Sequence, residues 1–552
     1  MRKVLITVLV LGLLAAAAVG GREGYRNWKT NRAVAQAKIA VGKSDYKKAL
    51  FWLRSALQRN GNSIEAVRMM GDFAELSQSP ELIYWRNRLV ELQPDSITNR
   101  VLLARVAVVN RDYPAAKRAL DGIRPGDRGN PEALQLAGVF AVATGRFQEA
   151  ETNFQAAATS EPSNPIPLLN LAIIRVQRKD PQIAGEARQI LERFRTNEVV
   201  RNDALRQLTL DAVRHTNLSR ALVLARELAS RTNALLNDRL LELDVMRDAR
   251  SPQLRPALAA LQRELATNAP AVFGVGRWMM AAMSPHETHA WLQSVSPQIQ
   301  TNLPVTMLMA DTFLAASNWT ALEGWVGKQQ WGEMDHLRLA FSSRAMRERN
   351  LANAAKAEWS KSVRLTESRL DRLTALEHLA VAWNWPVEVE EILWLVVNKF
   401  PSEKGAVQSL SSLLYLTGKT RSFLTLMAQE TRLNPKDLGV KNNLASLAML
   451  LNAQEHKPYE LAREVYEMQP DNPSFASTYA YSLYLQKKPR EALQVMDRFK
   501  PEQLEDPGIA GYYGLILAAA SGDMVRAKKC LDISAKSRLL PEEAQLFQRV
   551  RW

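Results

Sequence analysis

Tyr46 and Tyr113 stand 67 residues apart, Tyr113 and Phe147 stand 34 apart, Ala49, Ala116, Ala150 and Ala184 keep the same spacing, and Pro94 and Pro162 are separated by 68. This step of about 34 residues constrains the fold more than any single motif. Without it, a chain of 552 residues suggests three or four domains at roughly 150 residues each. With it, the unit is a pair of short amphipathic helices. One such pair cannot bury its apolar stripe alone, so neighbours must stack and the array must wind into a superhelix with a concave groove. The expected fold class is all-α, since no strand-like alternation or Gly-rich hairpin signal interrupts the pattern.

The best unit runs from Pro131 to Asn164: Leu134, Ala137-Gly138 and Ala141, then Gly145-Arg146-Phe147, then Ala150, Phe154, Ala157 and Pro162. Two helices cross closely only where side chains are small, which Gly138 and Ala150 provide. Phe154 fills the space beside the crossing, and Pro162 stops the second helix. On Gly138, Ala150, Phe154, Pro162 and the period, the chain resembles the tetratricopeptide repeat family and, with the N-terminal segment described below, a membrane-anchored bacterial member of it. The resemblance implies a right-handed α-solenoid of stacked helix-turn-helix repeats that binds proteins without catalysis.

The same grammar reads as Ala37, Ala49, Leu53 and Ala56 in the first unit and as Ala104, Ala116 and Leu120 in the third. It fades after about residue 230 and recovers near the C-terminus, where Pro401, Pro435 and Pro470 are 34 and 35 apart and Gly418, Lys487-Lys488-Pro489 and Gly522-Asp523 fall at the expected turns. The expected organisation is a membrane segment over residues 1–21, an N-terminal array over 22–230, a divergent helical region over 231–370 and a C-terminal array over 371–552. Its last helix, opening at Pro541-Glu542-Glu543, would cap the stack. Ten to fourteen units are expected.

The net charge, 72 Lys and Arg against 57 Asp and Glu, is +15. It is concentrated: residues 1–60 hold twelve basic groups against Glu23 and Asp45, or +10, which leaves +5 for the remaining 492 residues. A nucleic-acid-binding chain spreads basic groups over the surface that tracks phosphates, so no nucleic-acid partner is expected. After Arg2 and Lys3, the run from Val4 to Gly21 carries no charge. Its eighteen residues span about 27 Å as a helix, near the thickness of a bilayer core. Ala16-Ala17-Ala18 offers a cleavage site, and the unbroken apolar run favours a retained anchor over a cleaved signal. The array would then stand on the periplasmic or extracytoplasmic side. Arg22, Arg26 and Lys29, at spacings of four and three, would share one helical face against anionic headgroups.

No catalytic constellation emerges, and no catalytic residue, cofactor or metal site is assigned. Ala37 to Ser44 nearly spells a phosphate-binding loop but lacks its first glycine and a preceding strand. His286-Glu287-Thr288-His289 is the one clustered histidine pair among six histidines, and its spacing lacks the extra residue of the two-histidine metalloprotease motif. Cys530, the single cysteine, and the tryptophans at 319, 325, 331, 383, 385 and 394 read as helix packing.

In members of the family the first helix of each pair lines the concave face. That resemblance implies groove positions at Val101, Arg105 and Val108, at Gln135, Val139 and Val142, and at Leu169, Ile173 and Val176. Exposed, this apolar stripe would dock an extended peptide or an amphipathic helix. Tyr415, Tyr481, Tyr484 and Tyr512 form a second candidate surface, aromatic and polar-tipped. The expected function is a membrane-tethered scaffold for protein partners of an envelope assembly. The alternatives are an enzyme or metal site in the divergent middle and an exported polysaccharide-binding solenoid.

Overall fold

The computed structural model describes residues 24–79 and 81–550. The expected anchor over residues 1–21 and the basic Arg22 lie outside them. Among the described residues the regular elements are all helical, and no helix is long and apolar enough to cross a membrane. Among the described residues the helices of eight residues or more form fifteen successive pairs, from residues 24–42 with Tyr46–Arg59 to Pro507–Ala520 with Met524–Ala535, and a single helix, Pro541–Gln548, follows. That is one pair above the expected range. The excess arises because residues 231–370 keep pairing helices, such as Val305–Ala315 with Trp319–Val326, after the repeat residues are lost.

The chain groups into two compact units that divide at Leu265 and Ala266. In the first, successive pairs open at Ile64, Ile97, Pro131 and Pro165, steps of 33, 34 and 34. In the second, they open at Leu370, Lys404, Leu438, Pro473 and Pro507, steps of 34, 34, 35 and 34. Side-chain caps fix many of these starts: Asn130 accepts from the Ala133 amide at 3.1 Å and Asp437 from the Val440 amide at 3.1 Å, satisfying donors that a helix N-terminus leaves free.

One turn joins the two helices of most pairs. The amides of Asp45, Asp112, Arg146, Lys419 and Lys488 reach back five residues to the carbonyls of Ala40, Ala107, Ala141, Leu414 and Leu483, at 2.8–2.9 Å. The residue before each of these amides, Ser44, Arg111, Gly145, Gly418 or Lys487, has φ between 56° and 75°. This is the Schellman closure of a helix. The residue that donates the returning bond is also the N-cap of the next helix, and the Asp45 carboxylate accepts from the Lys48 amide at 3.1 Å. The near match to a phosphate-binding loop is therefore a repeat turn, with Ser44 as its left-handed residue.

The expected crossing of the fourth pair is present. A Cβ on Gly138 would come within 2.5 Å of the Phe154 ring, and Phe154 is buried with Ala141, Ala150 and Leu171. Tryptophans wedge the second unit: Trp331 lies edge-on to Phe341, which meets Trp383, which meets Trp385, at 5.9, 5.7 and 5.0 Å between centroids. Cys530 is buried beside Ala527 and Tyr513, and burial raises its thiol pKa.

Phe154→Ala should cost about 3–5 kcal/mol and Gly138→Ala about 1–3 kcal/mol in chemical denaturation of the full chain. In the Phe154→Ala background the Gly138→Ala penalty should shrink, because the added methyl enters space the ring held. Strictly additive losses would show that the two residues do not share one crossing.

Candidate partner-binding groove

The first helices of the first unit do not expose an apolar stripe. Val101, Leu169 and Val176 are buried, at 1%, 3% and 2% exposure. Val108, Gln135, Val139 and Ile173 are half-buried, and Val139 and Ile173 pack against neighbouring helices. Only Arg105 and Val142 among these nine are exposed. The reason is the stacking itself: a first helix meets its own second helix and both neighbouring pairs, so apolar residues all round it find partners.

What links the first helices across their open side is charge. Lys38 pairs with Glu65 at 2.7 Å, Arg105 with Glu132 at 2.7 Å and Arg206 with Asp238 at 2.7 Å, each joining one first helix to the next. The exposed pairs contribute at most about 1 kcal/mol each. Asp238 is fully buried and depends on Arg206 for compensation of its charge.

In the second unit the tyrosines converge. Tyr415, Tyr481 and Tyr512 line one cavity of about 300 Å³, and Tyr484 stacks on Tyr481 with centroids 6.3 Å apart. Most of its wall comes from the first helices of four consecutive pairs, Lys404–Leu416, Leu438–Leu450, Pro473–Leu485 and Pro507–Ala520, and Phe423, Leu540 and Glu543 complete it. The lining is mostly polar-tipped, with Asn442, Asn443, Ser446, Ser477 and Thr478 beside the phenols. Asn442 is 8% exposed, and no described residue hydrogen-bonds its Oδ1.

The tyrosine surface is not open. Tyr481 and Tyr512 are buried, at 3% and 7% exposure, because the chain's own segment from Arg538 onward covers them. The Tyr415 hydroxyl donates to the Arg538 carbonyl at 2.6 Å, Thr420 donates to Glu542, and Tyr512 donates to Glu543 Oε1 at 2.7 Å. Burial and the Glu543 carboxylate push the Tyr512 phenol well above its ordinary pKa, so it remains a donor. The other oxygen of Glu543 accepts the Leu540 amide at 2.9 Å, which closes the N-terminus of the helix Pro541–Gln548. This helix packs on the last pair at Gly511 and Tyr512 and also reaches Thr420, more than 120 positions earlier.

The other candidates are packing features. His289 is half-buried, bonds Thr312 Oγ1 at 2.9 Å and lies 4.6 Å from the Phe313 centroid; burial, then neighbouring His286, lowers its pKa. Among the described residues no three His, Cys, Asp or Glu side chains gather as metal ligands. Among the site residues that sequence reasoning missed, with Thr420, Asn442 and Glu542, is Glu543. Its signal was available in the Leu-Pro-Glu-Glu start of the last helix, but nothing local indicated where that helix docks.

No family model matches the chain, and no curated protein matches it. Among solved structures, the chain is similar to one in the crystal structure of the APC/C hetero-tetramer Cut9-Hcn1, at 12% identity over 82% of this chain and 96% of that one, with a TM-score of 0.30. It is also similar to a chain in the structure of Naa15/Naa10 bound to HypK-THB, at 13% identity over 94% of this chain and 76% of that one, with a TM-score of 0.28. Likeness at this level carries no function across.

One titration in the middle region is measurable. Burial pushes the Asp311 carboxyl up to about 6, with Arg277 only partly opposing it. Its folded pKa thus exceeds its unfolded value near 3.8. Well below pH 3.8 the carboxyl is protonated in both states; between 3.8 and about 6 the unfolded chain ionises while the folded state, which solvates the charge poorly, keeps its proton, so at most about 3 kcal/mol of stability is lost as pH rises through the folded value. Melting midpoints between pH 4 and 7.5 should fall across this window, and Asp311→Asn should flatten that part of the profile. An unchanged slope in the variant would assign the titration to another group.

Proposed function

We propose that the protein is a membrane-tethered, non-catalytic helical-repeat scaffold that holds a protein partner of an envelope assembly along the first-helix groove of its second unit. The observation that carries this reading is the cavity at Tyr415, Tyr481 and Tyr512, to which four successive first helices contribute. A face built from one helix of every pair suits an elongated protein segment better than a small molecule. Phenols with neighbouring amides and hydroxyls provide apolar contact and adaptable hydrogen bonding together.

Tethering rests on the uncharged run from Val4 to Gly21 and is supported by the helix that follows residue 23. Tyr25, Arg26, Trp28 and Lys29 are all exposed there. The Tyr25 and Trp28 rings stack 6.1 Å apart, and Lys29 lies 4.6 Å over the Tyr25 ring. Aromatic and basic groups side by side suit the headgroup region, where each cation gains about 1 kcal/mol near anionic lipid. The repeat array is assigned to the periplasmic or extracytoplasmic side, as is usual for a large domain after a single N-terminal apolar segment.

Two measurements test this. Deleting residues 1–21 should move the protein out of the membrane fraction, whereas Arg26→Gln with Lys29→Gln should weaken vesicle binding of the deleted form without loss of helical content. A photo-crosslinker at Asn443, an exposed cavity residue, should form adducts with a second protein in intact membranes, and Ser446→Arg should reduce them. Adducts with the protein itself alone, unchanged by Ser446→Arg, would refute the scaffold reading. Glutamate at Val139 or Ile173 would test folding rather than docking, since both pack between helices.

A further inference from the structure

The segment from Arg538 to Val550 lies where a partner would lie. It reaches the first of the four pairs through Tyr415 and Thr420 and the last through Tyr512. Leu540 is buried in the core cluster of Leu410, Leu414 and Leu447. Leu546, Phe547 and Val550 pack against Ala445, Met449, Tyr481 and Tyr512. Phe547 meets Tyr512 edge-on at 5.2 Å, and a Cβ on Gly511 would come within 2.4 Å of the Phe547 ring. Glycine at 511 thus lets the helix seat closely. Glu543, Leu546 and Phe547 share one helical face at spacings of three and four.

The seat is nevertheless incomplete. No residue of the helix Pro541–Gln548 is itself fully buried. The cavity of about 300 Å³ stays open between this segment and the groove, with Leu540 and Glu543 as part of its wall. Asn442, more than nine-tenths buried, lines that cavity with an unpartnered Oδ1. A buried amide oxygen without a donor is a cost that a better-fitting occupant removes.

From this we infer that residues 538–550 are a built-in, displaceable occupant of the groove, and that the partner is a protein segment of the same chemistry. That segment starts a helix with adjacent carboxylates, carries a Leu-Phe pair one turn later, and adds a donor for Asn442. Its carboxylates take the places of Glu542 and Glu543 at the Thr420 and Tyr512 hydroxyls, and its apolar pair takes the places of Leu546 and Phe547 against Tyr481, Tyr512 and Gly511. The inference rests on the groove being a docking face.

The probe is a labelled synthetic peptide of residues 536–550. The chain ending at Ser537 should bind it saturably, and the full chain should bind it about tenfold or more weakly because its own segment competes. A peptide with Glu542→Ala and Glu543→Ala should lose about tenfold or more. Full-length protein carrying Glu543→Ala should gain binding of the unaltered peptide. If the shortened chain does not fold, hydrogen exchange in the full chain decides: amides of residues 541–548 should exchange far faster than those of residues 438–450. Equal protection of the two segments, or a folded shortened chain that ignores the peptide, would overturn the inference. Peptide binding without a crosslinked partner in membranes would leave the displaceable segment standing and remove only the scaffold reading.

Discussion

The backbone bond that reaches back five residues at the end of a first helix is the constraint on which the rest of the structure depends. It closes one helix and sets the N-cap of the next within three residues, so the second helix must fold back along the first. The bond is made between backbone atoms, and the left-handed residue it requires is glycine at 145 and 418 but serine, arginine and lysine at 44, 111 and 487. A non-glycine residue accepts that conformation at a cost of about 1–2 kcal/mol, which the packing of the resulting pair offsets. Pairs therefore persist through residues 231–370, where the small-residue pattern has disappeared.

A fixed turn fixes which helix faces outward. Because each first helix contacts its partner and both neighbours, its apolar residues are consumed by stacking. What remains on the open side is charge in the first unit and hydroxyl and amide chemistry in the second. Arg105 with Glu132 and Arg206 with Asp238 tie neighbouring first helices to each other, so those groups are already engaged. In the second unit Tyr415 and Tyr512 are engaged by the chain's own returning segment, and Asn442 keeps an unpartnered Oδ1. The difference between the two faces comes from residue chemistry, since both units repeat the same hairpin.

Much of this was legible in the sequence. The 34-residue step, the proline opening a helix at 131, and the Gly138 and Phe154 crossing depend on local geometry, and local geometry leaves a local signature. The tyrosines at 415, 481 and 512 stand 66 and 31 apart, so it is their aromatic, polar-tipped chemistry rather than the period that groups them. Their cover could not be read, since it depends on a segment whose contact begins 31 residues beyond Tyr512 and 123 beyond Tyr415. The apolar stripe at Val101, Leu169 and Val176 misled for a related reason: a helical wheel identifies apolar faces but does not say which of them a neighbour has already taken.

The returning segment turns a repeat protein's simplest property against its usual consequence. In a stack where each pair contacts only its neighbours, stability is roughly a sum of local terms, and no pair senses a distant one. Glu542 and Glu543 break that rule by joining Thr420 and Tyr512 across four pairs. Whatever spreads or tightens those pairs changes the fit of the segment, and whatever displaces the segment frees the pairs to move, by thermodynamic reciprocity. Hydroxyl-to-carboxylate bonds suit such a link, since each is directional and strong enough to hold the segment. They are also few: the helix they hold buries none of its residues completely, so displacement is opposed by three hydroxyl bonds, to the Arg538 carbonyl, Glu542 and Glu543, and by the apolar contacts of Leu540, Leu546, Phe547 and Val550.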